Sequence, residues 1–256
     1  MFRLTTRVRA LSRPLLQQSA GRAAYHEQAK LEYPIEEGLE PFLSAQSLDF
    51  LYNMRQKELI GSVNRLTGGT DFEGKTLYNV VYDSASDPTR RPLTNYSSQA
   101  WNMDFFFKSL TPKSVAPGAS VKRELAGGFK SFERFQSAFD GCALSMFGNG
   151  WTWLVVDENG RQSVMNTYNG TTPFTAYPSS GGALAKGMSF STINRRKGSR
   201  PFFHLMPILG LSMWQEAYLP DYGLDRRSYV ENFWKVVDWS LVEQRLMSVL
   251  STAPRM

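Results

Sequence analysis

The apolar positions of this chain change period along its length. Leu48, Leu51, Leu59 and Val63 recur at helical spacing. They predict one apolar face of a helix that starts at a Ser44 or Ser47 cap and runs to about residue 66. Ahead of it, Tyr33 to Gly38 reads as an extended arm carrying Pro34. Trp101, Phe105, Phe106 and Phe107 mark a second helix over about residues 95–110, and a third is expected over about 120–140. The pattern then switches. Residues 143–156 read as a strand, Asp157 to Gly160 supplies a turn, and Gln162 to Asn166 returns as a second strand. Phe203 to Leu211 is a third apolar strand, and helices over 213–219 and 226–250 finish the chain.

Turn-rich segments fall at 67–76 and 83–93, and residues 111–119, with two Pro and a Gly, read as a linker. The predicted fold is therefore α+β. An N-terminal α-helical hairpin domain spans 30–112, and a C-terminal α/β domain with a small three-stranded antiparallel sheet spans 120–256.

Charge changes this picture at one end. The chain carries a formal +6. Arg3, Arg7, Arg9, Arg13 and Arg22 account for most of it, because residues 1–26 hold no Asp, Glu or Lys. Setting those five aside leaves 24 of the 29 basic residues against 23 acidic ones. The first 25 residues thus have the Arg-rich, acid-free, Ser/Thr-dotted composition of a mitochondrial transit peptide, with Arg22 before a plausible processing site. The expected location is the mitochondrial matrix. No apolar run approaches the ~20 residues of a membrane helix, so no membrane partner is expected. Cys142 stands alone, so no internal disulfide is possible.

Little conventional chemistry is present. Gly181 to Gly187 resembles a phosphate loop but lacks the Gly-Lys-Ser/Thr ending. There are two histidines, His26 beside the leader and His204 on a predicted strand. The densest basic run, Arg195, Arg196, Lys197 and Arg200, is the candidate for local contact with RNA phosphates; Arg90-Arg91 and Arg226-Arg227 are smaller. A near-neutral mature charge argues against a broad nucleic-acid surface.

Four blocks carry a family resemblance. They are Leu39-Glu40-Pro41-Phe42-Leu43-Ser44; Gln99-Ala100-Trp101-Asn102 with Phe105 to Phe107; Phe147-Gly148-Asn149-Gly150-Trp151-Thr152-Trp153-Leu154; and Trp214 to Tyr218 followed by Tyr229, Trp234 and Trp239. In this order and spacing they resemble the iron/manganese superoxide dismutases over about residues 31–250. The resemblance implies that fold. It also implies four metal-ligand positions, and here those slots hold Leu51, Met103, Ser212 and Glu216. Three imidazoles and a carboxylate hold the metal in that family, and two histidines cannot supply three. The family's second-sphere His and Tyr slots hold Arg55 and Leu59, while Gln99 matches the water-binding Gln of the iron type.

What the resemblance implies is a protein without catalytic residues, metal or other cofactor. The superoxide dismutase-like small-subunit proteins of fungal mitochondrial ribosomes fit that description. Their role would be structural: a heterodimer with a second superoxide dismutase-like subunit, contacts to other small-subunit proteins, and limited local rRNA contact. Arg55, Gln215, Glu216 and Leu219, near the family's dimer interface, are the candidates for partner contact. A free matrix pseudoenzyme scaffold and a dismutase with a diverged metal site are the alternatives.

Overall fold

The computed structural model describes residues 25–175 and 205–252. Ser44 starts the first helix. Its hydroxyl accepts the Ser47 N–H at 3.1 Å, while its own N–H and O–H donate to the Asp221 carboxylate at 2.9 and 2.7 Å. One side chain thus caps a helix and ties it to an element far along the chain. α1 (Ala45–Asp49) passes through a π-helical stretch, Phe50–Gln56, into α2 (Lys57–Thr67). The predicted apolar face is the buried one, with Leu48, Leu51, Leu59 and Val63 all within the core.

α3 (Leu77–Ser84) occupies a stretch where the sequence predicts no element. The Thr76 hydroxyl caps it by accepting the Asn79 N–H at 3.3 Å, and Val80 and Val81 are fully buried. α4 (Arg91–Lys108) begins earlier than expected, with Pro92 in its first turn, where the ring's fixed φ suits a helix start. It buries Ala100, Met103, Phe106 and Phe107.

The helix expected over 120–140 is two helices, α5 (Ala119–Phe129) and α6 (Phe132–Ser145). Lys130 lies between them at φ 73°, and the Ser131 hydroxyl restarts the helix by accepting the Arg134 N–H at 3.2 Å. α6 also takes in Ala143 to Ser145, which the sequence assigns to the strand. Arg226 fixes that end: its Nη2 and Nη1 donate to the carbonyls of Ala143 and Met146, both at 2.9 Å.

β1 (Gly150–Val156), β2 (Gln162–Tyr168) and β3 (Met206–Ser212) form one antiparallel sheet in the order β2-β1-β3. β1 is the central strand and is buried along its whole length, which is why its sequence runs apolar without alternation. Trp153 faces Met165 on one side and Gly210 on the other. A Cβ at Gly210 would lie 2.5 Å from the Trp153 ring, so the indole fits only against glycine.

α7 (Gln215–Tyr222), α8 (Arg226–Phe233) and α9 (Trp239–Thr252) complete the described chain. The single helix expected over 226–250 is thus split. The Asp238 carboxylate makes the break by accepting the N–H groups of Ser240 and Leu241 at 3.0 and 3.1 Å, a new helix cap. One buried cluster joins Phe42 and Leu48 to Phe106, Trp151, Tyr229 and Phe233, so the core is continuous on both sides of residues 111–119. Two backbone bonds cross that point as well. The Thr111 N–H donates to Val236 at 2.7 Å, and the Asp238 N–H donates to Ser109 at 2.8 Å.

Candidate functional site

Leu51 lies on the π-helical stretch and Met103 on α4, and both are core residues at 2% and 3% exposure. Ser212 ends β3, and Glu216 sits in the first turn of α7. Ser212 is already engaged. Its carbonyl accepts the Tyr229 hydroxyl at 2.8 Å, and its Oγ accepts the Trp214 N–H at 3.4 Å. Burial pushes the Tyr229 phenol well above its ordinary range, so it remains a neutral donor that pins the β3–α7 junction.

Glu216 is also committed. Its Oε1 accepts from Arg55 Nε at 2.9 Å, and both side chains are about a quarter exposed. Arg55 reaches Glu58 as well, at 3.1 Å, and its guanidinium lies 5.7 Å from the centroid of the Trp214 ring. Four residues past the first ligand slot on the helix, Arg55 thus pairs with the last slot on α7. The donor set is a hydrocarbon, a thioether, a hydrogen-bonded hydroxyl and an ion-paired carboxylate. It does not fit an iron or manganese ion, which needs imidazole and free carboxylate donors at all four positions. Among the described residues, no group of three or more His, Cys, Asp or Glu is placed to hold a metal ion.

The frame around these slots is kept by hydrogen bonds. Gln99 Oε1 accepts from Trp151 Nε1 at 3.0 Å, Asn102 Nδ2 donates to the Gly170 carbonyl at 3.0 Å, and Gln56 Nε2 donates to the Ala100 carbonyl at 3.0 Å. Each of these three polar side chains is buried. Gln99 therefore serves the indole of β1.

The partner-contact candidates gather at the start of α7. Gln215 donates its N–H to Asn149 Oδ1 at 3.1 Å, Leu219 lies one turn on, and Arg55 meets Glu216. The structure adds residues the sequence does not single out as surface. Phe147, two residues before Asn149, is 94% exposed, and Met54, beside Arg55, is 61% exposed. Phe147 sits within a family block rich in core aromatics; only the Gly-Asn-Gly turn after it hints at exposure.

The smaller basic pairs are partly absorbed by the fold. Arg90 pairs with Asp71 and Asp87 and stacks on Phe72, and Arg226 caps α6, while Arg91 and Arg227 face outward. Arg195, Arg196, Lys197 and Arg200, the Gly181–Gly187 loop and His204 lie outside the described residues.

Comparison with known proteins agrees with this frame. The family described as iron/manganese superoxide dismutases, C-terminal domain, matches residues 117–181 and 182–245. A superoxide dismutase [Fe] of Bacteroides fragilis is 30% identical over 223 residues, covering 86% of this chain and 99% of the relative. The superoxide dismutase [Fe] of Escherichia coli is 29% identical over 211 residues, covering 82% and 93%. Small ribosomal subunit protein mS43 of Schizosaccharomyces pombe is 30% identical over 224 residues, covering 83% and 82%. The chain belongs to the iron/manganese superoxide dismutase family. Within it, the chain resembles both iron enzymes and a ribosomal protein to the same degree, and the four ligand slots are what separate the two readings.

Proposed function

We propose that this chain is a structural component of the small subunit of the mitochondrial ribosome, a superoxide dismutase fold with no metal site and no dismutase activity. The observation that carries this reading is the filling of the ligand slots. Leu51 and Met103 are packed as core, Ser212 is hydrogen-bonded, and Glu216 is paired with Arg55. The relative named as a small ribosomal subunit protein supports the assembly, and the Arg-rich first 25 residues, as a removable leader, support the mitochondrial matrix.

The mature chain, organised as 30–112 and 120–256, pairs with a second superoxide dismutase-like subunit. Arg55, Gln215, Glu216 and Leu219, together with exposed Phe147 and Met54, are the pairing surface. Other small-subunit proteins hold the pair in place, with any rRNA contact local to Arg195–Arg200.

The iron enzymes among the relatives favour a competing reading, a dismutase with a diverged site, and a free matrix scaffold is the third. Gradient sedimentation of a mitochondrial lysate separates the ribosomal reading from the other two. The ribosomal reading expects the chain in the small-subunit fraction, moving with that subunit's rRNA. Recovery only among free proteins removes the ribosomal role.

A further inference from the structure

A cavity of about 370 Å³ lies between the arm at residues 29–33, the C-terminal end of α4 and α9. None of the four ligand-slot residues lines it. Its apolar walls are formed by Leu31, Tyr33, Leu110 and Leu241, and three cations line it, Lys30, Lys108 and the largely buried Arg245. The Arg245 Nη1 donates to Ser109 Oγ at 2.7 Å and to the Ile208 carbonyl at 3.3 Å, and its guanidinium stacks 3.9 Å from the Phe105 ring centroid. All three partners are neutral. Among the described residues, no carboxylate forms an ion pair with Arg245. The nearby Asp238 caps α9 through its Oδ1 and acts on Arg245 through its charge alone, with no ion-pair contact. Burial lowers the guanidinium to about 10, and the charge of Asp238 opposes this only in part.

The arm over this cavity is held in place. The Tyr33 hydroxyl donates to the Phe107 carbonyl at 3.1 Å, the Tyr52 hydroxyl donates to the Ala29 carbonyl at 2.7 Å, and Gln28 Nε2 donates to the Tyr52 carbonyl at 2.6 Å. The cavity is therefore preformed, which lowers the ordering cost of an occupant. A planar guanidinium with unused donors, set among apolar walls, suits a carboxylate attached to an apolar body. It suits nucleic acid poorly. Lys30, Lys108 and Arg245 face Glu32 and Asp238 in the lining, an excess of one positive charge that matches a single carboxylate and not the repeated phosphates of a polyanion.

We propose that this cavity is a docking site for a segment of another protein that presents one carboxylate, flanked by an apolar side chain, to Arg245. The site is separate from the pairing surface and stands whether or not the ribosomal reading holds.

The test uses the purified mature chain and three probes: the peptide acetyl-Leu-Asp-Leu-amide, its Asn counterpart, and a uridine hexanucleotide. Binding is read from backbone amide NMR shifts at Tyr33, Thr111 and Leu241. The Asp peptide is expected to move these amides and to bind at least about tenfold more tightly than the Asn peptide, the worth of one charge-assisted hydrogen bond. Leu241→Trp, which fills the cavity and keeps the arginine, is expected to abolish the shifts. Arg245→Lys, which keeps the charge but not the fork, is expected to weaken them. Equal binding of the two peptides, no movement with either, shifts that survive Leu241→Trp, or the same shifts with the oligonucleotide would each overturn the proposal.

Discussion

The family resemblance puts Glu216 at the last histidine-ligand slot, and Arg55 forms an ion pair with it there. The Arg55–Glu216 pair is partly exposed, so its worth is modest. A double-mutant cycle of Arg55→Ala and Glu216→Ala, followed by urea denaturation, is expected to give a coupling of about 0.5–1 kcal/mol that shrinks with added salt. Zero coupling at low salt would mean that the pair does not hold α7 to the first helix. Asp140 offers a second check. Burial raises its carboxyl above the ordinary value, and the hydrogen bond from Trp234 Nε1 at 2.8 Å opposes that only in part. Its folded form therefore favours the proton, and ionisation weakens the fold as pH rises through the folded pKa. Asp140→Asn keeps an acceptor for the indole and removes the charge. Its melting temperature is expected to exceed the parent's at pH 7, with the gap closing as pH falls toward 3.8. A gap that widens in acid contradicts the assignment. At this scale the sequence is legible where motifs carry it, as with Leu51 and Met103. It is silent on the Arg55–Glu216 pair, whose members lie 161 positions apart.

Among the elements, helices with a sustained apolar stripe were predictable and their interruptions were not. The Leu48–Val63 face follows directly from spacing. Breaks at Lys130 and before Asp238 depend on a left-handed residue and on a carboxylate that turns back to cap, neither of which alters the apolar period. α3 was hidden because Val80, Val81 and two tyrosines have little helix preference, and tertiary burial decides their state. The loop after α6 carries the most informative surprise. Asn149 is bonded to Gln215 and receives the Asn169 N–H, yet Phe147 beside it is almost wholly exposed. A large aromatic side chain fixed outside the core adds little to folding and is well suited to an interface. Phe147→Asp is expected to leave stability within about 0.5 kcal/mol of the parent. It should also abolish co-purification of the second superoxide dismutase-like subunit from mitochondria. Unchanged recovery of that subunit would remove Phe147 from the pairing surface.

At the scale of the whole molecule, one continuous core and a three-stranded sheet keep the family's frame, while Leu51 and Met103 pack in the core, Ser212 is hydrogen-bonded and Glu216 is ion-paired with Arg55. The indole and phenol groups explain how the frame persists. Trp151 is tied to Gln99, Trp153 to Thr167 and Tyr229 to the Ser212 carbonyl, so the geometry has anchors that require no ion. We propose that this fold stands without a metal. The measurement that tests it most directly is the iron and manganese content of the mature protein, isolated without chelators from mitochondria and set beside its dismutase activity. The expected result is metal far below one ion per chain, no activity, and a melting temperature unmoved by added manganese or iron. Stoichiometric iron or manganese that supports dismutation would contradict it.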